Sequence, residues 1–324
     1  MSGKYIVLYA IAFAVLVFPA FHAAAETCEM ELSDNGGVRD CAGRKINEEK
    51  RFSRIISLYG AHTENLFSLG LEDEIIGVGR HPDYPPRARE KPGFSPQDGP
   101  EKFLAARPDL VLVRPMIDRG YEPLMKSLEK FGIKVISLQP GNVGEMKTYW
   151  RILGRLTGRE DAALEMIEKF DKGVLQARML AENIDEKKTV YFEAIHDRFK
   201  TFTPGSMPVF ALECAGGINA ARDVRQVRGT NIAEFGKERI MEKGPEIDVY
   251  LAQKGPMNNV DAADIANEPG YGVIKAVKEG EIHIVDEQIV SRPTLRLTEG
   301  IRTIGKILYP EIYKKSGQRN SKSN

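Results

Sequence analysis

Short, continuously apolar runs recur along the chain, separated by segments in which apolar residues follow a helical spacing. The runs lack the alternation of polar and apolar positions that marks a half-exposed strand, so they predict strands buried on both faces. Such strands, alternating with helices, are typical of a parallel sheet covered by helices on each side. The predicted strands are 54–58, 75–79, 108–113, 134–138, 189–194, 248–253 and 281–286.

Helices are predicted between these strands. In "HTENLFSLGL", Thr63 is predicted as the N-cap of an amphipathic helix. A longer helical stretch is predicted over 143–183, with a break near Gly158. The remaining predicted helices are 100–106, 121–131, 208–215, 231–243, 270–278 and 294–308.

The two groups of predicted strands share one arrangement, in which a helix with a glutamate leads through a proline into a strand. Glu101 lies in a helix seven residues before Pro108, which starts the connection into a strand, and Glu238 stands in the same relation to Pro245. We therefore predict an α/β fold of two lobes, each with a parallel sheet flanked by helices, bridged by a single long backbone helix. The cleft between such lobes is where a ligand is expected to bind.

The N-terminus has the pattern of a secretory signal. Lys4 precedes an apolar run over 5–18, and small residues follow at 23–25. This run is shorter than the roughly 20 residues that span a bilayer, which favours a cleaved signal over a membrane anchor. We expect cleavage near Ala25 and a periplasmic mature protein.

Two cysteines follow the predicted cleavage site. In an oxidising compartment Cys28 and Cys41 are expected to form a disulfide; lipidation of Cys28 is the alternative. The predicted organisation is a signal peptide at 1–25, an N-terminal extension at 26–51, an N-terminal lobe at 52–142, an interlobe helical region containing the backbone helix at 143–186, a C-terminal lobe at 187–314 and a polar tail at 315–324.

Charge and motifs restrict the function. Lys and Arg together number 46, as do Asp and Glu, so no overall attraction to nucleic acid or to an anionic membrane is expected. The chain contains no P-loop, no nucleophile elbow and no dinucleotide-binding glycine motif after a strand. These absences favour a binding protein. The alternative is an enzyme, namely a two-lobed α/β metalloenzyme.

The order and spacing of several segments resemble a known family. Over about 52–312 the chain resembles the substrate-binding proteins of ABC importers for iron-siderophores, haem and vitamin B12. The segments that carry the resemblance are "RIISLYGAHTENLFSLGL", "VGRHPDYPP", "ARPDLVLV", "FGIKVISL", "LGRLTGRE", "LECAGGINAA", "EKGPEIDVYLAQ" and "SRPTLRLTEGI".

The resemblance implies partners as well as a fold. It implies a monomeric binding protein, without a cofactor of its own, that delivers its ligand to an ABC permease dimer and meets the inner membrane only through that permease. It also implies one permease-docking glutamate on each lobe, at Glu101 and Glu238. Such surface carboxylates orient an encounter with arginines, and their effect should depend on salt.

Candidate ligand-binding residues lie where the strands end. Guanidinium groups suit the anionic oxygens of ferric chelates and haem propionates, and tyrosines can stack on a macrocycle or an aryl arm. We therefore expect a metal chelate, either a ferric siderophore or haem, as the ligand. The candidates are Tyr59, His62, Arg80, His81, Tyr84, Arg114, His196, Arg198, Arg292 and Arg296.

Two further ligands stay open as alternatives. Cobalamin is the first, although Trp150 is the only tryptophan and Arg114 falls about where the vitamin B12-binding members have one. Direct binding of Zn or Ni by His62, His81 and His196 is the second, although no close-spaced histidine motif supports it.

Overall fold

The computed structural model describes residues 28–34, 36–47, 51–226 and 230–314. The predicted signal peptide and polar tail lie outside the described residues. Nowhere in these ranges is a helix both long and apolar enough to cross a membrane.

The N-terminal extension is a small antiparallel sheet that contains a disulfide and is held to the first lobe by ionic contacts and hydrogen bonds. Cys28 and Cys41 form a disulfide within it. Arg44 donates to the carboxylates of both Asp40 and Asp118, the second of which belongs to the first lobe. The strands are β1 (Glu31–Leu32), β2 (Val38–Arg39) and β3 (Lys45–Ile46).

The first lobe contains a wholly parallel sheet in the order β6-β5-β4-β7-β8. Every residue of β4 and β7 is buried, as the continuous apolar runs predict. Its strands are β4 (Ile55–Ser57), β5 (Ile75–Gly79), β6 (Gly93–Phe94), β7 (Leu110–Val113) and β8 (Lys134–Ser137), and its helices are α1 (Gly60–Ser68), α2 (Pro100–Ala106), α3 (Pro115–Gly120) and α4 (Glu122–Lys130).

The start of α1 differs from the prediction. The helix begins at Gly60 with Tyr59 as the N-cap, whereas Thr63 lies inside the first turn. The chain turns into the helix directly after β4, because the backbone N–H of Thr63 donates to the carbonyl of Tyr59. The Thr63 hydroxyl instead contacts the Ser57 hydroxyl at 2.9 Å. This early start places Tyr59 at the carboxyl end of the strand.

Two helices follow the first sheet, and the predicted break between them is confirmed. Helix α5 (Val143–Thr157) ends at Gly158, whose φ of 69° only glycine adopts freely. Helix α6 (Glu160–Ala181) then runs into the second lobe. The ring of Phe170 in α6 lies edge-on to Trp150 and is stacked on Phe210, so a row of aromatic rings joins the helices of the two lobes.

The second sheet is mixed rather than parallel, which corrects the prediction. Strands β11, β13 and β14 extend its parallel part, whereas β10 is antiparallel to both β9 and β12. The strands are β9 (Thr189–Ile195), β10 (Lys200–Phe202), β11 (Ile218–Asn219), β12 (Ile232–Glu234), β13 (Val249–Lys254) and β14 (Ile282–Asp286).

Local geometry explains both differences in this lobe. The chain returns from β9 to β10 through a short turn, His196–Arg198, and a connection this short can only join antiparallel neighbours. The helix predicted over 231–243 is instead strand β12 followed by a helix from Lys237, because Gly236 adopts a φ of 89° between them. The helices are α7 (Met207–Cys214), α8 (Lys237–Lys243), α9 (Ala262–Asn267), α10 (Lys275–Glu279), α11 (Glu287–Val290) and α12 (Leu297–Leu308).

Candidate ligand cleft

Five of the predicted ligand-binding side chains lie together where the two lobes meet. The guanidinium carbon of Arg114 is 5.0 Å from the ring centre of Tyr59, and that of Arg296 is 3.9 Å from the ring centre of Tyr84. Arg292 lies over Gly60, where a Cβ atom would be 3.0 Å from its terminal nitrogen. We call Tyr59, Tyr84, Arg114, Arg292 and Arg296 the arginine–tyrosine cluster.

Arg292 is held by a carboxylate from the opposite lobe. Its two terminal nitrogens donate to the two oxygens of Asp83, at 2.8 and 2.6 Å. Burial alone would raise the pKa of Asp83, but the hydrogen bonds and charge of Arg292 hold it below its usual value. The positive charge of Arg292 is therefore largely balanced within the cleft.

Arg296 forms a second pair of the same kind. It donates to both oxygens of Glu64, at 2.8 and 2.9 Å, and the Glu64 side chain is only 2% exposed. Between the two arginines, the carbonyl of Pro293 accepts a hydrogen bond of 2.9 Å from the Asn65 amide. The segment 292–296 thus contacts the first lobe at three points.

Arg114 differs from the other two arginines of the cluster. It forms no ion pair with any residue that the structure describes, and its buried Nε finds no hydrogen-bond partner there. Burial raises the pKa of the Tyr59 hydroxyl, and the nearby charges of Arg114 and Arg292 oppose that rise. Within the cluster, Arg114 Nε is therefore a buried donor that a ligand oxygen could satisfy.

His62 lies beneath the cleft rather than in it, which corrects its assignment to the ligand surface. Its side chain is fully buried. Its Nε2 donates to the carbonyl of Val113 at 2.9 Å, and its Nδ1 accepts from the hydroxyl of Tyr149 at 2.6 Å. Burial lowers the pKa of His62 to about 4, so the ring is neutral and supports the wall of the cleft.

Among the described residues, the candidates Arg80, His81 and Arg198 form no hydrogen bond, ion pair or ring contact with the arginine–tyrosine cluster. Arg80 pairs with Asp98 at the start of α2, and His81 is exposed with a φ of 59°. Arg198 is exposed and pairs with no carboxylate in the described ranges. Arg80 is therefore paired with a carboxylate of its own lobe, and Arg80, His81 and Arg198 stay predictions as ligand-binding residues.

His196 belongs to a polar network in the second lobe. Its Nδ1 donates to the buried carboxylate of Glu193 at 2.9 Å, and this hydrogen bond raises the pKa of His196. The hydroxyl of Tyr250 donates to the same carboxylate. A cavity of about 630 Å³ opens beside His196, between it and the residues from Met257 to Glu268. In the part of the chain described, no group of three or more His, Cys, Asp or Glu residues is arranged to hold a metal ion.

The two predicted docking glutamates occupy equivalent positions in the two lobes. Glu101 is the second residue of α2 and Glu238 the second residue of α8; a glycine caps each helix. Both side chains are exposed. Each helix has seven residues and leads into a central strand of its sheet, so the equivalence seen in the sequence is also structural.

Three carboxylates of the cleft escaped prediction. Asp83 and Glu64 could not be assigned, because each is paired with an arginine more than 200 positions away. Glu287 directly follows β14, so its strand-end position was a usable signal. Burial raises the pKa of Glu287, against the charge of Arg292 and the backbone N–H of Met257.

Known proteins share this architecture and much of the sequence pattern. A family model described as "Periplasmic binding protein" matches residues 55–289. An uncharacterized ABC transporter substrate-binding lipoprotein, YvrC of Bacillus subtilis, is 25% identical over 281 residues, 86% of each chain. A vitamin B12-binding protein of Vibrio campbellii is 23% identical, over 78% of this chain and 87% of its own.

A solved structure agrees with these relatives. A possible iron-binding (periplasmic solute-binding) protein of Staphylococcus epidermidis superposes with a TM-score of 0.70 and 26% identity, over 80% of this chain and all of that one. The family match covers the central strands of both lobes, including those that carry the arginine–tyrosine cluster. The chain therefore belongs to the periplasmic binding protein family of ABC-transporter substrate-binding proteins.

Proposed function

We propose that this protein is an exported receptor that binds an anionic metal chelate, a ferric siderophore or haem, in the interlobe cleft and delivers it to an ABC permease. In this role it needs no cofactor of its own and carries out no reaction. The metal arrives inside its chelator as cargo, and the cleft recognises the oxygens and rings at the chelate surface.

Arg114 carries this proposal. A buried guanidinium nitrogen without a partner costs free energy, about 1–3 kcal/mol. An anionic oxygen from a ligand would satisfy this donor, and the adjacent Tyr59 ring would flank an aryl or macrocyclic group. The alternative of direct Zn or Ni binding has less support, because His62 is enclosed and His196 is engaged with Glu193.

Hydrogen bonding in the cluster also supports a ligand with anionic oxygens. Arg292 and Arg296 are paired with Asp83 and Glu64, whereas Arg114 forms no ion pair in the described part of the chain. Its buried Nε is left to donate to a ligand oxygen. A corrinoid is the second candidate, favoured by the similarity to the Vibrio campbellii vitamin B12-binding protein.

Delivery to the permease would use Glu101 and Glu238. Their matching places on the two lobes would let one receptor engage both halves of a permease dimer. Export by the predicted signal peptide would bring the receptor to the same compartment as its chelate.

The test is a calorimetric titration of the purified protein with a ferric catecholate, a ferric hydroxamate, haem and cyanocobalamin. Arg114→Met should weaken binding of the anionic chelates by about 10- to 100-fold. Arg302→Met, which removes an exposed arginine of α12, is the matched control and should leave the affinity unchanged. The proposal fails if none of the four probes binds saturably, or if both variants bind as the wild type does.

A further inference from the structure

A second unpartnered polar atom belongs to Glu287, which follows β14 on the lobe opposite Arg114. Glu287 Oε2 is buried, and none of the described residues forms a hydrogen bond with it. Leaving a buried carboxylate oxygen without a donor costs at least as much as leaving a neutral group unpaired. The cost is recovered when a ligand supplies a donor to that atom.

The fold holds this carboxylate in place by a close approach of backbone. Glu287 is the first residue of α11, and its side chain lies against Gly255 in the turn that follows β13. A Cβ atom at position 255 would overlap the Glu287 carboxylate, so only glycine leaves room for it. The backbone N–H of Met257, in the same turn, favours the charged carboxylate.

Glu287 and Arg114 offer complementary groups from the two sides of the cleft. Burial raises the pKa of Glu287, and the charges of Arg292 and Arg114 oppose that rise, so both arginines are near enough to interact with the carboxylate. Arg292 is occupied by Asp83, which leaves the Arg114 donor and the Glu287 acceptor free. A carboxamide has a carbonyl acceptor and an N–H donor side by side, and so matches this pair.

We propose that Glu287 is a ligand-binding residue that accepts a hydrogen bond from an amide N–H of the chelate while Arg114 donates to a chelate oxygen. This inference rests on the proposed function and narrows it. The cargo is then an amide-bearing chelate, such as a peptidic siderophore or a corrinoid, in preference to haem, whose propionates offer only acceptors and would be repelled by Glu287.

The experiment compares three probes by calorimetry: ferrichrome and cyanocobalamin, which carry amide groups, and haem, which carries none. The wild type should bind at least one amide-bearing probe more tightly than haem. Glu287→Leu should weaken that binding by about tenfold or more and leave haem binding unchanged or tighter. Gly255→Ala, which displaces the carboxylate without removing it, should shift the preference in the same direction.

Circular dichroism melting curves establish that each variant is folded, and Glu287→Met, which also removes the acceptor, replaces Glu287→Leu if the latter is not. An unchanged ratio of amide-probe to haem affinity in the folded variants would overturn the role of Glu287 while leaving chelate binding intact. The role of Glu287 would also be overturned if the wild type bound haem more tightly than both amide-bearing probes. A wild type that binds no probe would instead overturn the proposed function itself.

Discussion

The guanidinium of Arg292 in the second lobe and the carboxylate of Asp83 in the first form a bidentate ion pair between the lobes. A ligand anion must compete with Asp83 for this guanidinium. Asp83→Asn should therefore raise the affinity for an anionic chelate, by about three- to tenfold, and lower the free energy of unfolding by about 1 kcal/mol. Calorimetric titration and urea unfolding measure the two effects; a fall in affinity would show that Asp83 positions Arg292 for the ligand.

The Arg296–Glu64 pair should dominate stability at the lobe interface. Removing the guanidinium in Arg296→Met leaves the Glu64 carboxylate buried and unpaired, which should lower the free energy of unfolding by about 3–5 kcal/mol. Adding Glu64→Gln should restore most of that loss. Lys126→Met breaks a pair that is more than 60% exposed on both sides and should cost less than about 1 kcal/mol. Equal losses in the two single variants would contradict this ranking.

His62 should make stability depend on pH. Its native pKa is about 4, against 6.5 for an ordinary histidine, so the unfolded chain binds more protons between these values. The stabilisation from neutral His62 is complete above about pH 6.5 and declines as the pH falls towards 4, by up to ~1.4 kcal/mol per pH unit. The free energies of unfolding of wild type and His62→Gln, measured in urea at pH 7 and pH 5, should therefore differ by less at pH 5. The rise in the pKa of His196 is common to both proteins, so its effect cancels in the comparison. If the two free energies of unfolding differed equally at pH 7 and pH 5, this role of His62 would be excluded.

Docking through Glu101 and Glu238 should appear as a loss of transport without a loss of binding. Reversing both charges, Glu101→Lys with Glu238→Lys, should abolish uptake of the chelate by cells while its affinity for the purified protein is unchanged. Glu165→Lys, at an exposed position on α6, is the control and should transport normally. Reduced ligand affinity in the double variant would place these glutamates in the cleft instead.

The parallel core was predictable because its strands are apolar on both faces. Such runs as the one ending at Val113 can only be buried between two layers of helices. The antiparallel edge of the second sheet was not predictable, because β10 and β12 have three residues each and mix polar with apolar positions. The pairing of β10 with β9 depends on the backbone reversal that ends at Phe199, and no periodic pattern records this.

Strand ends predicted which side chains would lie near one another but not how they would pair. Tyr59 and Arg114 each follow a buried strand, and their side chains are in contact. The sequence did not indicate that Arg80 would find Asp98 nearby, or that Asp83 would reach Arg292. The first contact spans 18 positions and the second 209; both are set by tertiary placement of side chains rather than by local spacing.

The row of rings from Trp150 through Phe170 to Phe210 has an optical consequence. Trp150 is the chain's only tryptophan, and it is fully buried where α5 packs on α6. Its emission therefore reports the integrity of the joint between the lobes. The wavelength of maximum emission should not change when a ligand binds in the cleft through hydrogen bonds alone. It should shift to longer wavelength when α6 separates from the helices packed against it.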